Sequence, residues 1–491
     1  MANWLGRAGM AAGLVLLILC HLITPPDPIT HVGMGRVGLL AFAILWWICA
    51  PVPLAVTTFA ALGLGVGTGV LSLDEAFAAN TSWVLWFLIG AFGLSAALES
   101  NGFNRRFALW FVNLPWLAGR PYALLFMFLT STALMSGMMS NTVVTVVWLS
   151  LATTVYSALR LQKGDPFAEA NTLGLAWLSN IGGVMTPIGT PGNAVTIGLI
   201  AGATGRTVGF AEWSIVGIVA VAFLAGSSFL VMRYVMRPDV SVITRGDSVA
   251  FLRSQQAALG SPDPAERWSV ALFGLAIALW FVPDLLRLVL PEGTLPAVLG
   301  NMGLVVPALL VPVVMCMTPV DQPGRTRVLT WDEWVRGVDW GMVLFIGGVL
   351  ALGTAIGAAD AGVSTFLQQR LEPVLSGLSE YLFVFTLLTA VMLVTNVMSN
   401  LVTTAIFMPL GLTVSMSVGI GDPVALGVLL GMAPSLAYAL PSGTTTNAIV
   451  AGTGWIRLGV MARAGAVLVV IHAIVLTWVV YPVAKFVLGQ P

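Results

Sequence analysis

Charge is what this sequence has least of. Asp, Glu, Lys and Arg together make up 9% of 491 residues, against 58% hydrophobic ones, and such a composition excludes an ordinary soluble globule. The two signs balance at 21 each, so no basic surplus is left for nucleic acid. Cysteine and histidine occur three times each (Cys20, Cys49, Cys316; His21, His31, His472). They are scattered, so neither a zinc site nor a catalytic dyad can be assembled from them, and the cysteines read as packing residues in apolar surroundings. The scarcity is sharpest in four windows, 121–159, 172–205, 381–421 and 423–456, which contain no Asp, Glu, Lys, Arg or His at all. A proton-driven pump relies on an intramembrane carboxylate or histidine. An intramembrane enzyme needs a nucleophile with its base, or a metal cluster. These windows supply neither, so the sequence points away from an enzyme and from an organic cofactor.

What is present is apolar length. A helix needs about 20 apolar residues to cross the hydrocarbon, and spans are expected at 10–24, 32–50, 53–71, 83–99, 212–236, 268–290, 295–317, 340–358 and 464–488. The first is short enough to resemble a signal peptide, but Thr24-Pro25-Pro26 follows it in place of a small-residue cleavage site, so it reads as retained. Two further spans, 172–202 and 424–452, are broken by Pro and Gly. Two pairs, 122–138 with 142–159 and 381–398 with 402–418, meet at polar tips. Short amphipathic stretches occupy 105–118 and 363–371, and a polar linker runs from Arg237 to Arg267. The seventeen tryptophans read mostly as interface anchors and lipid-facing bulk.

Counting each polar-tipped pair as a re-entrant hairpin leaves about eleven transmembrane helices. With the N-terminus in the cytoplasm, sixteen of the 21 basic residues fall inside. Only Arg36, Arg206, Arg287, Arg370 and Lys485 fall outside, as the positive-inside rule demands. The expected fold is therefore an all-α polytopic inner-membrane protein with its C-terminus outside. Glu99 and Asp360 read as interfacial or scaffold charges.

The halves match one another. Trp83 and Phe87-Leu88-Ile89-Gly90 align with Trp340 and Leu344-Phe345-Ile346-Gly347 at an offset of 257. Ser140-Asn141 aligns with Ser399-Asn400 at 259, and Gly189-Thr190 with Asn193 aligns with Gly443-Thr444 and Asn447 at 254. Collinear matches at nearly one offset indicate duplication, and the topology puts the two hairpins on opposite sides, so the repeats are inverted.

The tips carry the chemistry. Non-helical backbone survives in hydrocarbon only when buried in protein or lining a wet cavity. Where two half-helices meet, the second begins with free N–H groups and the positive end of its dipole, an anion site without a basic side chain. Ser140, Asn141 and Thr142 add donors from one side, Ser399 and Asn400 from the other. Their oxygens also suit a hard cation such as sodium. Ser136 and Thr395 stand four residues before Ser140 and Ser399, on the same helical face. The breaks Thr186–Asn193 and Pro441–Asn447 free backbone carbonyls, which are natural cation ligands.

With its paired Ser-Asn tips, paired Gly-Thr breaks followed by Asn, and central polar loop carrying Leu259-Gly260 and Glu266, the chain resembles the divalent anion/sodium symporter (DASS) family over nearly its whole length. The family carries dicarboxylates, citrate or sulfate. The resemblance implies a homodimer in lipid whose mobile parts carry the site across the membrane like an elevator. Scaffold helices would comprise 1–120 and 268–372, the transporting parts 121–237 and 373–491, with 238–267 a cytoplasmic linker. It also implies one sodium among Ser136, Ser140, Asn141 and Gly189, and a second among Thr395, Ser399, Asn400 and Gly443. The anion would lie between the tips, touching Ser140, Asn141, Thr142, Ser399, Asn400 and Thr444. The second repeat departs from the family pattern. Leu401 replaces a threonine, and Thr445-Thr446 replace residues that often include proline. Leu401 removes a hydroxyl from the anion site and Thr445 offers one in return, which leaves C4-dicarboxylates, sulfate and sulfonates open as cargo. The expectation is a sodium-coupled symporter. The alternatives are a sodium-independent exchanger of the same fold and a cation/proton or arsenite-type carrier, which would need an intramembrane carboxylate.

Overall fold

In hydrocarbon every backbone N–H and C=O has to be paired within the chain, and helices do this here almost throughout. A computed structural model describes residues 2–114, 117, 119–242, 248–289, 302–322, 324–375 and 377–489. The N-terminal half contains α1 (Ala2–Leu22), α2 (His31–Cys49), α3 (Leu54–Gly67), α4 (Leu73–Ala78), α5 (Trp83–Ser100), α6 (Phe103–Val112), α7 (Pro121–Ser136), α8 (Asn141–Ala158), α9 (Pro166–Gly183), α10 (Pro191–Thr204) and α11 (Phe210–Val231). The C-terminal half contains α12 (Ser248–Ala258), α13 (Pro264–Val289), α14 (Val305–Met317), α15 (Trp331–Gly337), α16 (Trp340–Gly357), α17 (Val363–Leu375), α18 (Glu380–Thr395), α19 (Asn400–Val418), α20 (Pro423–Met432), α21 (Thr445–Gly452), α22 (Leu458–Val475) and α23 (Tyr481–Leu488). A single antiparallel hairpin, β1 (Pro319–Gln322) with β2 (Arg325–Arg327), is the only sheet among the described residues. The span expected at 295–317 is described only from residue 302.

Eight described helical stretches are long and apolar enough to cross a membrane unaided. The first hairpin arms, α7 and α18, are among the shorter apolar helices. Their 16 residues reach about 24 Å at 1.5 Å per residue, short of the roughly 30 Å hydrocarbon core. They turn back at Ser136–Asn141 and Thr395–Asn400, and each tip packs against the middle of a broken span. Re-entrance is thus visible in what the tips touch.

Inverted duplication sets the packing. Both broken spans start with Asp-Pro, at Asp165-Pro166 and Asp422-Pro423. Asp165 caps the N–H groups of Phe167 and Ala168, and Asp422 those of Val424 and Ala425. The two spans cross head to tail, so that α9 lies on α21 and α10 on α20. The outgoing hairpin arms follow the same exchange, α8 packing on α21 and α19 on α10. A Cβ at Gly182 would collide with Ala133 O, so glycine is what lets α7 lie directly on α9.

Around this centre α3 packs on α16 and α5 on α14. Arg36, though assigned to the outer side, is 4% exposed and pairs with Glu75 at 2.8 Å and Asp360 at 2.7 Å. It also donates to Val70 O and Ala355 O. Asp360 is thereby a structural charge, as expected. Part of the polar linker is more ordered than its composition implied: 248–258 forms α12. Arg105 reaches Gln255 at 2.8 Å, and Arg106 binds Glu266 and Gly260 O. The linker is therefore fastened to α6. Trp148, Trp177 and Trp213 are fully buried, so three of the tryptophans serve inside the bundle and not at its lipid face.

Candidate functional site

Each hairpin tip meets the break of its own repeat. In the first, Ser136 Oγ donates to Asn141 Oδ1 at 2.6 Å. A Cβ on Gly183 would touch that same amide, and one on Gly189 would stand 2.5 Å from Gly183 O. Thr186 Oγ1 donates to Gly137 O, pinning the tip to the break. Ser136, Asn141, Gly183 and Gly189 are thus contiguous. In the second, Thr395 Oγ1 donates to Pro434 O at 2.6 Å. The Asn400 amide nitrogen donates to Pro434 O at 2.8 Å and to Thr395 Oγ1 and Gly443 O at 3.1 Å. Three oxygens of the kind a hard cation takes are thus gathered about one carboxamide. Thr395, Asn400 and Gly443 are therefore together, as the pattern required. Ser140 and Ser399 sit exposed beside them as the N-caps of α8 and α19.

The breaks are held open by matched residues. Asn193 donates to Gly183 O at 2.8 Å and Thr186 O at 2.7 Å, and Asn447 donates to Ala437 O at 3.0 Å and Leu440 O at 3.1 Å. All three pairs of positions differ by 254. The carbonyls freed by unwinding are re-satisfied in this way. At another matched pair an indole N–H does the same: Trp213 to Val184 O at 3.0 Å, Trp177 to Tyr438 O at 3.2 Å.

The repeats are then joined. Asn180 on α9 donates to Thr444 Oγ1 at 3.1 Å and accepts from Thr446 at 2.9 Å. On the other side, a Cβ on Gly192 would stand 3.8 Å from Thr404 Oγ1 and 3.9 Å from Leu401 Cδ2. Leu401 therefore faces the start of α10, with Thr445 exposed at the start of α21 and Thr142 half-buried in the first turn of α8.

Four helix N-termini point into this region, and they are not equivalent. Ser399 caps Val402 N–H and Thr444 caps Asn447 N–H. Neither Ser140 nor Thr190 makes a side-chain cap; α8 keeps its first-turn donors available to an anion, while α10, which starts with Pro191 and bonds Asn193 N–H to Thr190 O, keeps that of Gly192. Sequence reasoning missed Pro434, whose ligand atom is a backbone carbonyl, and Asn180, whose partners lie in the other repeat. The matched Asn193 and Asn447 were within reach of it, since the repeat alignment contains both.

Hairpins from inverted repeats, meeting at paired helix breaks, are the architecture of a polytopic membrane transporter. The chain belongs to the sodium:sulfate symporter transmembrane region family, whose model matches residues 6–486. It is 28% identical over 492 residues to the sodium-dependent dicarboxylate transporter SdcS of Staphylococcus saprophyticus, covering 98% of this chain and 92% of that protein. It is 29% identical over 496 residues to SdcS of Staphylococcus aureus strain MW2, with the same coverage. The fold is similar to the crystal structure of the Alcanivorax borkumensis YdaH transporter, at a TM-score of 0.56 and 15% identity, covering 100% of this chain and 98% of that one.

Proposed function

We propose that this protein imports a small di- or multivalent anion together with sodium, as a homodimer in the inner cell membrane, with its N-terminus in the cytoplasm and its C-terminus outside. The observation that carries the reading is the Asn400 carboxamide among Thr395 Oγ1, Pro434 O and Gly443 O. The amide nitrogen satisfies these three oxygens, and a sodium ion there would take them as ligands, with Asn400 Oδ1 turned in as a fourth. Ser136 Oγ, Asn141 Oδ1 and the backbone at Gly189 would form the corresponding first site.

The anion would sit between the tips, on the uncapped first turns of α8 and α10, with Ser140, Asn141, Thr142, Ser399, Asn400, Thr444 and Thr445 as donors. Each helix terminus supplies roughly half a positive charge, and the bound sodium ions supply the rest, so cargo and coupling ions neutralise one another in a region without ionisable side chains. Each species is then bound well only with the other present. The site would cross the membrane as part of two moving pieces, 121–237 and 373–491, against scaffolds 1–120 and 268–372. The SdcS relatives make C4-dicarboxylates the first cargo to try; Leu401, standing over Gly192, makes sulfate the second.

The test is uptake of radiolabelled succinate and sulfate into proteoliposomes, with sodium outside, inside or absent. Uptake of at least one anion driven by inward sodium is expected. Uptake indifferent to sodium would refute symport and leave exchange. Asn141→Ala and Asn400→Ala should each abolish uptake while the protein remains folded.

A further inference from the structure

Tyr438 and His472 are both 0% exposed, and neither side chain has a part in the site described so far. Tyr438 lies in the unwound segment of the second break, between Pro434 and Gly443, whose carbonyls face Asn400. Its ring is anchored from outside that segment: Tyr438 Oη and His472 Nδ1 are 2.7 Å apart. On its other edge, His472 Nε2 lies 3.1 Å from Ser227 Oγ and 3.4 Å from Ser228 Oγ, both on α11. Its backbone is held as well, since Tyr438 N–H and Ala439 N–H donate to Asn396 Oδ1 at 2.9 and 2.7 Å.

Proton accounting gives the chain a direction. Ser227 Oγ already donates to Phe223 O at 2.7 Å, so it accepts from His472 Nε2–H. The other ring nitrogen then carries the lone pair, and Tyr438 O–H donates to it. In this arrangement Tyr438 is fastened through His472 and Ser227 to Phe223 O on α11. Position 184, which matches Tyr438 in the first break, is Val184, whose carbonyl accepts from Trp213 as that of Tyr438 does from Trp177, but whose side chain has no polar group to tether. Only the second break carries this extra tether.

We infer that Tyr438 and His472 are a positioning pair for the second cation site, setting the spacing of the Pro434 and Gly443 carbonyls from the last long span. This rests on the sodium-coupled reading above. Loosening the tether widens that spacing and weakens sodium binding, while those anion donors that lie on α8 and α10, outside the second break, stay in place.

The experiment is sodium-dependent uptake by the full-length protein in proteoliposomes, with Tyr438→Phe, His472→Leu, His472→Asn and the Tyr438→Phe/His472→Leu double variant. The sodium concentration for half-maximal uptake should rise about five- to tenfold in Tyr438→Phe and His472→Leu, the span expected for one buried hydrogen bond, with KM for the anion at saturating sodium unchanged. His472→Asn, whose amide oxygen stands near the place of Nδ1, should recover most of the wild-type sodium dependence. The double variant should be no worse than the weaker single, because both remove the same bond. If Tyr438→Phe is not recovered folded, His472→Leu against His472→Asn makes the same comparison. Uptake that falls equally at every sodium concentration, or additive effects in the double variant, would overturn the assignment and leave a merely structural contact. A wild type insensitive to sodium would overturn the coupling reading itself, and this inference with it.

Discussion

Asn180 and Thr444 lie 264 residues apart in sequence, and the Asn180 amide donates to the Thr444 hydroxyl at 3.1 Å. Thr446 closes the loop by donating back to Asn180 Oδ1 at 2.9 Å. One carboxamide thus ties the incoming half of one broken helix to the outgoing half of the other. Asn180→Ala is expected to raise KM for the anion by about ten- to a hundredfold, since Thr444 and Thr446 lose a partner in a buried setting. Asn180→Asp should be worse still. It keeps the acceptor but loses the donor, and it adds a negative charge to a charge-free anion site. Uptake kinetics on the two variants check the order.

Glu169 and Arg457 form an ion pair across the repeats. The carboxylate is 3% exposed and takes Arg457 Nη2 at 2.6 Å, while the guanidinium itself is 65% exposed. Arg457 N–H also donates to Glu169, at 2.7 Å. The exposures make the two deletions unequal. Arg457→Leu leaves a buried carboxylate with the backbone N–H of residue 457 as its remaining partner and should lower the melting temperature more. Glu169→Gln leaves a cation that water can reach and should lower it less. Thermal melting of both variants in detergent tests the asymmetry; equal losses would show that the pair is not the buried-charge problem its geometry describes.

Movement of the site against the scaffold can be tested where the two proposed parts touch. A Cβ on Gly198 of α10 would stand 3.7 Å from Val84 Cβ of α5, within the span a disulfide needs, about 3.5–4.5 Å. In a background lacking Cys20, Cys49 and Cys316, Val84→Cys with Gly198→Cys should cross-link under mild oxidation and stop uptake, and reduction should restore it. Full uptake with the bond formed would show that α10 and α5 travel together, against the elevator reading.

Gly189 and Gly443 are packed against the carbonyls they lie among. A methyl at Gly443 would meet Ala437 Cβ at 2.8 Å and Thr395 O at 3.0 Å, and one at Gly189 would meet Gly183 O at 2.5 Å. Gly189→Ala and Gly443→Ala should therefore push the breaks apart. Wild-type protein is expected to melt higher as sodium is added, because an ion that binds only the folded form stabilises it by mass action. That shift should shrink or vanish in both variants. An undiminished shift would take these positions out of the cation sites.

Much of this was legible in the residues themselves. A Ser-Asn pair or a Pro-Gly break inside forty uncharged residues stands out because hydrocarbon tolerates an open backbone only under special conditions, and each occurs twice at one offset. The hairpins and the broken spans follow from that local logic; the spacing set Ser136 beside Ser140 and Thr395 beside Ser399, whereas the structure bonds them to Asn141 and Asn400. The order within 237–267 did not. The helix at Ser248–Ala258 depends on docking to α6 through Arg105 and Arg106, which no short window displays.

By itself, the sequence determined a many-spanning membrane protein with two mirrored repeats and a site free of ionisable groups, because burial in lipid acts on each segment separately and leaves its mark in composition and period. Only the tertiary structure decided that Pro434 contributes a carbonyl beside Asn400, that Asn180 bridges the repeats, that Trp177 and Trp213 hold unwound carbonyls, and that His472 reaches Tyr438. The physical reason is that a backbone oxygen has no letter of its own, and a hydrogen bond between residues hundreds of positions apart exists only once the two crossed helices have been packed together.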